Sequence, residues 1–446
     1  MIKKIAKITG IDVSIGYTLL ARIIQAGGGL LTMLLISLFL TNEEQGYYFT
    51  FGSIIAIQVF FELGLNSIIT QYVAHETVHL RWLSPTELTG DPIHLSRLAS
   101  LLQFCIKVFS VLAIVLFFIL QIAGNLFFTK YHASTVQWQF AWQAVAFSTS
   151  LILLMNPVLA FLEGLGRVKE MAKVRFIQQI VNIVIIAVVL IGKGGLLALG
   201  TASFVSFCVL FGSILFSDNK RILLFIYQKR EKWKVDYWKE IYPYQWKIAL
   251  SWISGYFVFQ LFNPVLFATE GPVVAGQMGM TLAALNGISA LSMSWINTKV
   301  PFFSTLVAQK KYDELDAVFK LTIQQLIFVN VLLISVFIMI VFGLKMLGMS
   351  LGERFLGLLP LIFLALTVIV NQAIFSWATY LRCHKQEPFL VNSIVAGFLC
   401  AVSTLLLGHL FGLMGIVGGY TVLTIFVGLP WGYLIFKTKK TGWHKA

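Results

Sequence analysis

Charged and amide side chains set inside long apolar runs carry the first sign of chemistry in this chain. Arg22 lies about two helical turns into the first apolar run, with Gln25 on the same side. Glu62 and Asn66 stand four residues apart in the second run. A charge at membrane depth is costly, so each such residue is a candidate functional site. A guanidinium forks onto phosphate or carboxylate oxygens and keeps its charge at any depth, which suits Arg22 to holding an anionic group. Arg22 and Glu62 belong to antiparallel neighbours and equally suit an ion pair that neutralises both. Lys107 lies near the end of the third run, where its stem can snorkel to the interface. Lys299 follows Asn297 at the end of the eighth run and suits either a head group or an anchoring role. Asn156-Pro157 and Asn263-Pro264 predict kinks in the fourth and seventh runs, because proline removes a backbone bond and clashes with the preceding turn. There Gln260 and Asn263 are candidates for hydrogen-bonding a polar ligand, with plain packing as the competing reading.

One motif points to a different chemistry. His75-Glu76-Thr77-Val78-His79 fits H-E-x-x-H, which on a helix sets two zinc ligands on one face beside a general base. Pro85 and Pro92 follow closely and shorten any helix there, and Arg81 stands where such motifs stay apolar. A membrane zinc metalloprotease is therefore the remote alternative, with Asp91 and His94 as its nearest further ligands. No P-loop pattern occurs, and the exterior loops are too short to carry a polymerase or ligase site. The expectation is a protein that is not an enzyme and has no metal and no cofactor.

The elements that hold these residues follow from composition. Of the 446 residues, 58% are hydrophobic and 12% charged, against about 25% charged in a soluble domain. The apolar residues form runs at 15–40, 46–72, 98–123, 139–163, 174–192, 195–217, 243–268, 273–298, 319–343, 355–380, 389–408 and 413–436. Runs this long fit only membrane-spanning helices, and membrane strands would be shorter and alternating. The fold class expected is an all-α polytopic membrane protein of twelve transmembrane helices. Of the 33 Lys and Arg, 27 fall in alternate connecting segments beginning with the N-terminal tail, and only Lys130, Lys193, Lys345 and Arg354 fall in the opposite set. This bias places both termini in the cytoplasm. The net charge of +14 sits in short segments between apolar runs, so nucleic acid is not expected as a partner. The four cysteines lie in or beside spans and predict no disulfide framework. The basic start MIKKIAKITG leads into a full-length span and reads as a retained flank. The segment 218–242 interleaves basic and aromatic residues, as in a helix lying on anionic membrane lipids or in a plain basic linker.

The two halves echo each other. TNEEQGYYFTFGSI (41–54) pairs with TEGPVVAGQMGMTLAA (269–284), and GGLLALGTASFV (194–205) with FGLMGIVGGYTV (411–422). Six helices per half make the repeats parallel, related by an axis along the membrane normal. The domains expected are an N-lobe (1–217), a basic linker (218–242), a C-lobe (243–436) and a cytoplasmic tail (437–446). Two six-helix lobes would then face a central cavity and rock between access states.

Over nearly its whole length the chain resembles the polysaccharide (O-antigen type) flippase family of the multidrug/oligosaccharidyl-lipid/polysaccharide exporter superfamily. The resemblance rests on Gly46-Tyr47-Tyr48 with FELGLNSIITQYVAHE (61–76), on LEGLGRVKEMAKVR (162–175) and on the stretch 275–316. It implies a multi-pass protein of the bacterial cytoplasmic (inner) membrane that moves a polyprenyl-diphosphate-linked oligosaccharide between leaflets by alternating access, for surface polysaccharide biosynthesis. It also implies a cationic cavity, which Arg22 matches. The partners to expect are that lipid-linked oligosaccharide, membrane lipids, a proton or sodium as coupling ion, and a polysaccharide polymerase. The rival within the superfamily is a cation-coupled multidrug exporter. Such pumps place carboxylates in the lobes, whereas here Glu62 is the one mid-span acid.

Overall fold

The computed structural model describes residues 27–131, 136–384 and 386–445. Among them the chain is an all-α polytopic membrane protein, apart from one two-stranded hairpin. The helices are α1 (Gly27–Phe39), α2 (Asn42–Thr77), α3 (Pro92–Lys130), α4 (Gln139–Gly164), α5 (Val168–Ile191) and α6 (Leu197–Leu215). A linker helix, Asp218–Gln228, leads to α7 (Gln245–Glu270), α8 (Pro272–Ala308), α9 (Tyr312–Met346) and α10 (Leu358–Arg382). The apolar stretch Leu390–His444 holds two of the expected spans, here α11 (390–411) and α12 (413–444). They meet at Gly412, whose φ of 56° and ψ of −137° leave the helical region. A side chain there would collide with the Glu270 carboxylate, which accepts from the Leu413 amide and so caps the start of α12. Of the first expected span, 15–40, only the part from Gly27 lies within the described residues.

The helices are apolar all round because lipid, not water, meets their outer faces. Only 11% of the apolar window of α5 is buried, against 67% for α4, so α4 is the axis of its half and α5 an outer wall. Trp142 of α4 is fully buried against Gly124 of α3 and donates its indole N–H to Leu120 O at 3.1 Å. Asp91 caps α3 by accepting from the Ile93 amide at 2.8 Å, with Pro92 just inside the helix.

The chain forms two compact units. One comprises the segment ending at Phe39 together with Ile54–Trp252; the other comprises Leu40–Ser53 and the chain from Ile253 on. Three helices are broken along their length. In α2 a 3₁₀ turn at Ala56–Gln58 is followed by left-handed Leu63 (φ 46°) and Gly64 (φ 71°). The regular helix of α7 stops at Phe259 and restarts at Phe262, where Pro264 removes the bond that Gln260 would have accepted. That of α8 stops at Asn297 and restarts at Val300, just before Pro301. By contrast α4 stays helical through Pro157.

The connection from α2 to α3 differs from a plain loop. Leu80–Ser84 and Glu87–Gly90 pair antiparallel, with Leu80 and Leu88 buried. Because α2 ends at Thr77, His79 is off the helix and cannot share a face with His75.

Candidate functional site

The break in α2 brings a carboxylate and three amides together. Glu62 is buried. Its Oε1 accepts from Asn156 Nδ2 at 2.7 Å and from Gln58 Nε2 at 3.0 Å, and its Oε2 accepts from Asn66 Nδ2 at 3.0 Å. Gln58, Glu62 and Asn66 stand at i, i+4 and i+8, a ladder along one face of α2. Asn156 comes from α4, one residue before Pro157. Asn66 Oδ1 is buried with no hydrogen-bond partner among the described residues. An ionised carboxylate out of water needs such donors, since its hydration is lost. The unpartnered amide oxygen beside it adds a further acceptor. The cluster can hold a proton or a small cation.

The other expected site residues fall elsewhere. Arg22 and Gln25 lie outside the described residues, and with them the Arg22–Glu62 pair. Lys107 is exposed on α3, and Lys299 is exposed at the break in α8. Gln260 is half-buried at the break in α7. Asn263 is buried and donates to Ser53 Oγ at 3.0 Å, while its Oδ1 has no partner among the described residues. The structure therefore brings Glu62 and Asn66 together and adds Gln58 and Asn156. Gln58 was readable from its i, i+4 spacing to Glu62; Asn156 was not, because its contact crosses 94 residues of sequence.

Two further polar clusters were not apparent from the sequence. Gln45 is buried and donates to Gly276 O at 2.9 Å and to Arg354 O at 3.1 Å. The Arg354 guanidinium in turn reaches Gln45 Oε1 at 3.3 Å and the Leu40 carbonyl. Beside it a Cβ on Gly46 would lie 1.9 Å from Pro272 O, so the backbones of α2 and α8 touch there. At the basic end, Arg97 Nε donates to Glu76 Oε1 at 3.0 Å, and its guanidinium also meets Glu240 and Tyr72. His94 Nδ1 lies 2.6 Å from Glu76 Oε2, and its ring stacks on His79 at 4.0 Å. Burial alone would push the Glu240 carboxyl up; hydrogen bonds from Tyr72, Arg97 and the Asp236 amide outweigh it and hold the group below its ordinary value.

This geometry bears on the zinc motif. Glu76, its would-be base, is occupied by His94 and Arg97, and His75 is exposed. Among the described residues no three His, Cys, Asp or Glu side chains converge as a metal site.

No family model matches the chain, and no curated protein matches its sequence. Solved structures do match its fold. An inward-facing multidrug resistance MATE family transporter of the MOP superfamily aligns at a TM-score of 0.60 and 14% identity, over 92% of this chain and 99% of its own. The MATE transporter VcmN of Vibrio cholerae aligns at 0.59 and 14%, over 97% of both chains. The lipid II flippase MurJ, in an inward closed conformation, aligns at 0.58 and 12%, over 96% of this chain and 89% of its own. The chain has the fold of these transporters.

Proposed function

We propose that this protein is a flippase that translocates a polyprenyl-diphosphate-linked oligosaccharide across the bacterial cytoplasmic membrane by alternating access. The observation that carries the transporter reading is the fold, shared over almost the entire chain with transporters and a lipid flippase. The choice of an anionic lipid substrate rests on the sequence pattern. Arg22 occupies the first span, and Glu62 is the one mid-span acid. Arg22 holds the diphosphate, with Lys299 and Lys107 as secondary contacts. Gln25, Gln260 and Asn263 offer amides to sugar hydroxyls. The lobes are 1–217 and 243–436, both termini are cytoplasmic, and the oligosaccharide passes to a polysaccharide polymerase outside.

Glu62 binds the coupling ion, a proton or sodium, with Asn66 and Asn156 as its amide partners. This feature also favours the second reading, a cation-coupled multidrug exporter, in which Glu62 exchanges its cation for a drug. Purified protein in liposomes with a labelled polyprenyl-diphosphate oligosaccharide separates the two. Movement of the lipid between leaflets, dependent on Arg22, supports the flippase. Movement of a cationic dye without movement of the lipid favours the exporter.

A further inference from the structure

We infer that the segment between α6 and α7, residues 216–242, is a docking surface for anionic phospholipid of the cytoplasmic leaflet. The inference uses the cytoplasmic orientation proposed above. Its grounds are a segment whose inner side is fully committed to protein and whose outer side is both basic and apolar.

The inner side is pinned. Ile222 and Ile226 of the linker helix are buried, and Asn219 accepts from the Arg167 guanidinium at 2.8 Å. Beyond the helix the backbone is tied to α3: Ser96 Oγ donates to Trp233 O at 2.9 Å and accepts from the Glu231 amide at 2.8 Å. Ser100 Oγ accepts from the Val235 amide at 3.0 Å, and Gln103 Nε2 donates to Tyr227 O at 2.9 Å. Two of the acids are turned to this internal work. Glu240 meets Arg97 and Tyr72, and Asp236 caps the turn of Trp238 and Lys239.

The outer side keeps the bases. Lys220, Lys229, Lys232 and Lys234 are exposed, and none has a carboxylate partner among the described residues. Between them lie large apolar groups. On the linker helix Lys220, Leu224 and Tyr227 follow one another at helical spacing, with Leu224 and Tyr227 exposed by 50% and 45%, and Phe216, exposed by 87%, stands just before it at the end of α6. Trp233 and Trp238 continue the pattern beyond the helix. A water-facing helix that has buried one face presents a polar second face. Here the second face sets exposed Leu224 and Tyr227 among charged and polar side chains, unpaired Lys220 included, the arrangement of a helix lying in the headgroup layer of an anionic leaflet. Lysine stems and tryptophan rings suit that depth, each with an apolar body and a polar tip.

The test is electron spin resonance on the full-length protein in phosphatidylcholine vesicles. The probe is spin-labelled phosphatidylglycerol or spin-labelled phosphatidylcholine, and the readout is the motionally restricted fraction of each. The wild type should restrict phosphatidylglycerol about three- to tenfold more, and the variant K220Q/K229Q/K232Q/K234Q should bring that ratio close to one. A K130Q/K193Q control, at the other end of the bundle, should keep the wild-type ratio. High salt should collapse the wild-type ratio, a measurement that needs no folded variant. Equal restriction of the two lipids by wild type, or an unchanged ratio in the variant, overturns the inference. The proposed orientation fails separately, through a linker epitope accessible from outside intact cells, and that result would leave a measured lipid ratio standing.

Discussion

Asn156 donates its side-chain amide to Glu62 across 2.7 Å, tying the broken middle of α2 to the turn before Pro157 in α4. The contact links two features that local sequence holds apart, a buried acid and a proline-bearing helix. It makes Glu62 a shared element of two helices, so a change at either residue is felt by both.

Removing that donor leaves a buried carboxylate oxygen short of one charge-assisted bond, worth about 1.5–3 kcal/mol. Asn156→Ala should therefore lower the unfolding midpoint in detergent, and Asn156→Gln should restore part of the loss. An unchanged midpoint in Asn156→Ala would show that the bond does not contribute to stability.

Steric contact at Gly46 makes a sharper demand. A Cβ there would lie 1.9 Å from Pro272 O and 2.8 Å from Pro272 Cα, and backbone cannot swing aside as a flexible side chain does. Gly46→Leu should abolish transport or halt folding, whereas Gly52→Leu, with nothing within 4 Å of its Cβ, should be tolerated. Equal behaviour of the two variants, read by transport and by monodispersity in detergent, would refute the close approach.

Two groups outside the spans lose their contributions one after the other as pH falls, His384 first and Glu240 in more acid conditions. Glu240 is held below its ordinary value, so its contribution is full above about pH 4.3 and is lost as pH falls through the lower folded value. His384 is pushed below its ordinary value by burial, with His444 adding to the shift and the Tyr380 carbonyl opposing it. Its imidazole packs 4.9 Å from Trp443 and 6.1 Å from His444, against the end of α12. Unpacked chain binds the proton first, so docking of α12 weakens as pH falls below about 6.5. Hydrogen exchange of residues 437–444 should accelerate between pH 7 and 5.5, and the linker amides of Glu231 and Val235 should stay protected until more acid conditions. Simultaneous release of both regions would contradict this assignment.

Much of the fold was legible because lipid leaves a chain few options. The runs that predict α2 to α12 all reappear as helices, since unpaired backbone is not tolerated in hydrocarbon. The hairpin Leu80–Gly90 was hidden, because it needs only two short strands closed by Pro85-Thr86. The break at Leu63 was hidden too, since a leucine rarely takes φ of 46° and nothing local asks for it. Glu62 and Asn66 could be picked out by their cost at membrane depth, while Gln45, Arg97 and Glu240 could not. Their partners stand 309, 21 and 143 residues away, and only tertiary packing brings them together.

The orientation has its own check. Tags inserted at Lys130 and at Gly348 should be accessible from outside the cell, and one at the linker should not. A cytoplasmic tag at either of the first two positions would overturn the topology.

The most direct measurement is leaflet exposure of a labelled polyprenyl-diphosphate oligosaccharide in liposomes with wild type, Arg22→Ala and Glu62→Gln. We expect wild type to move the lipid between leaflets, Arg22→Ala to slow it at least about tenfold by losing the diphosphate contact, and Glu62→Gln to abolish its response to a proton or sodium gradient. Wild-type protein that leaves the lipid in place while carrying a cationic dye, or Arg22→Ala that flips at the wild-type rate, would contradict the flippase account.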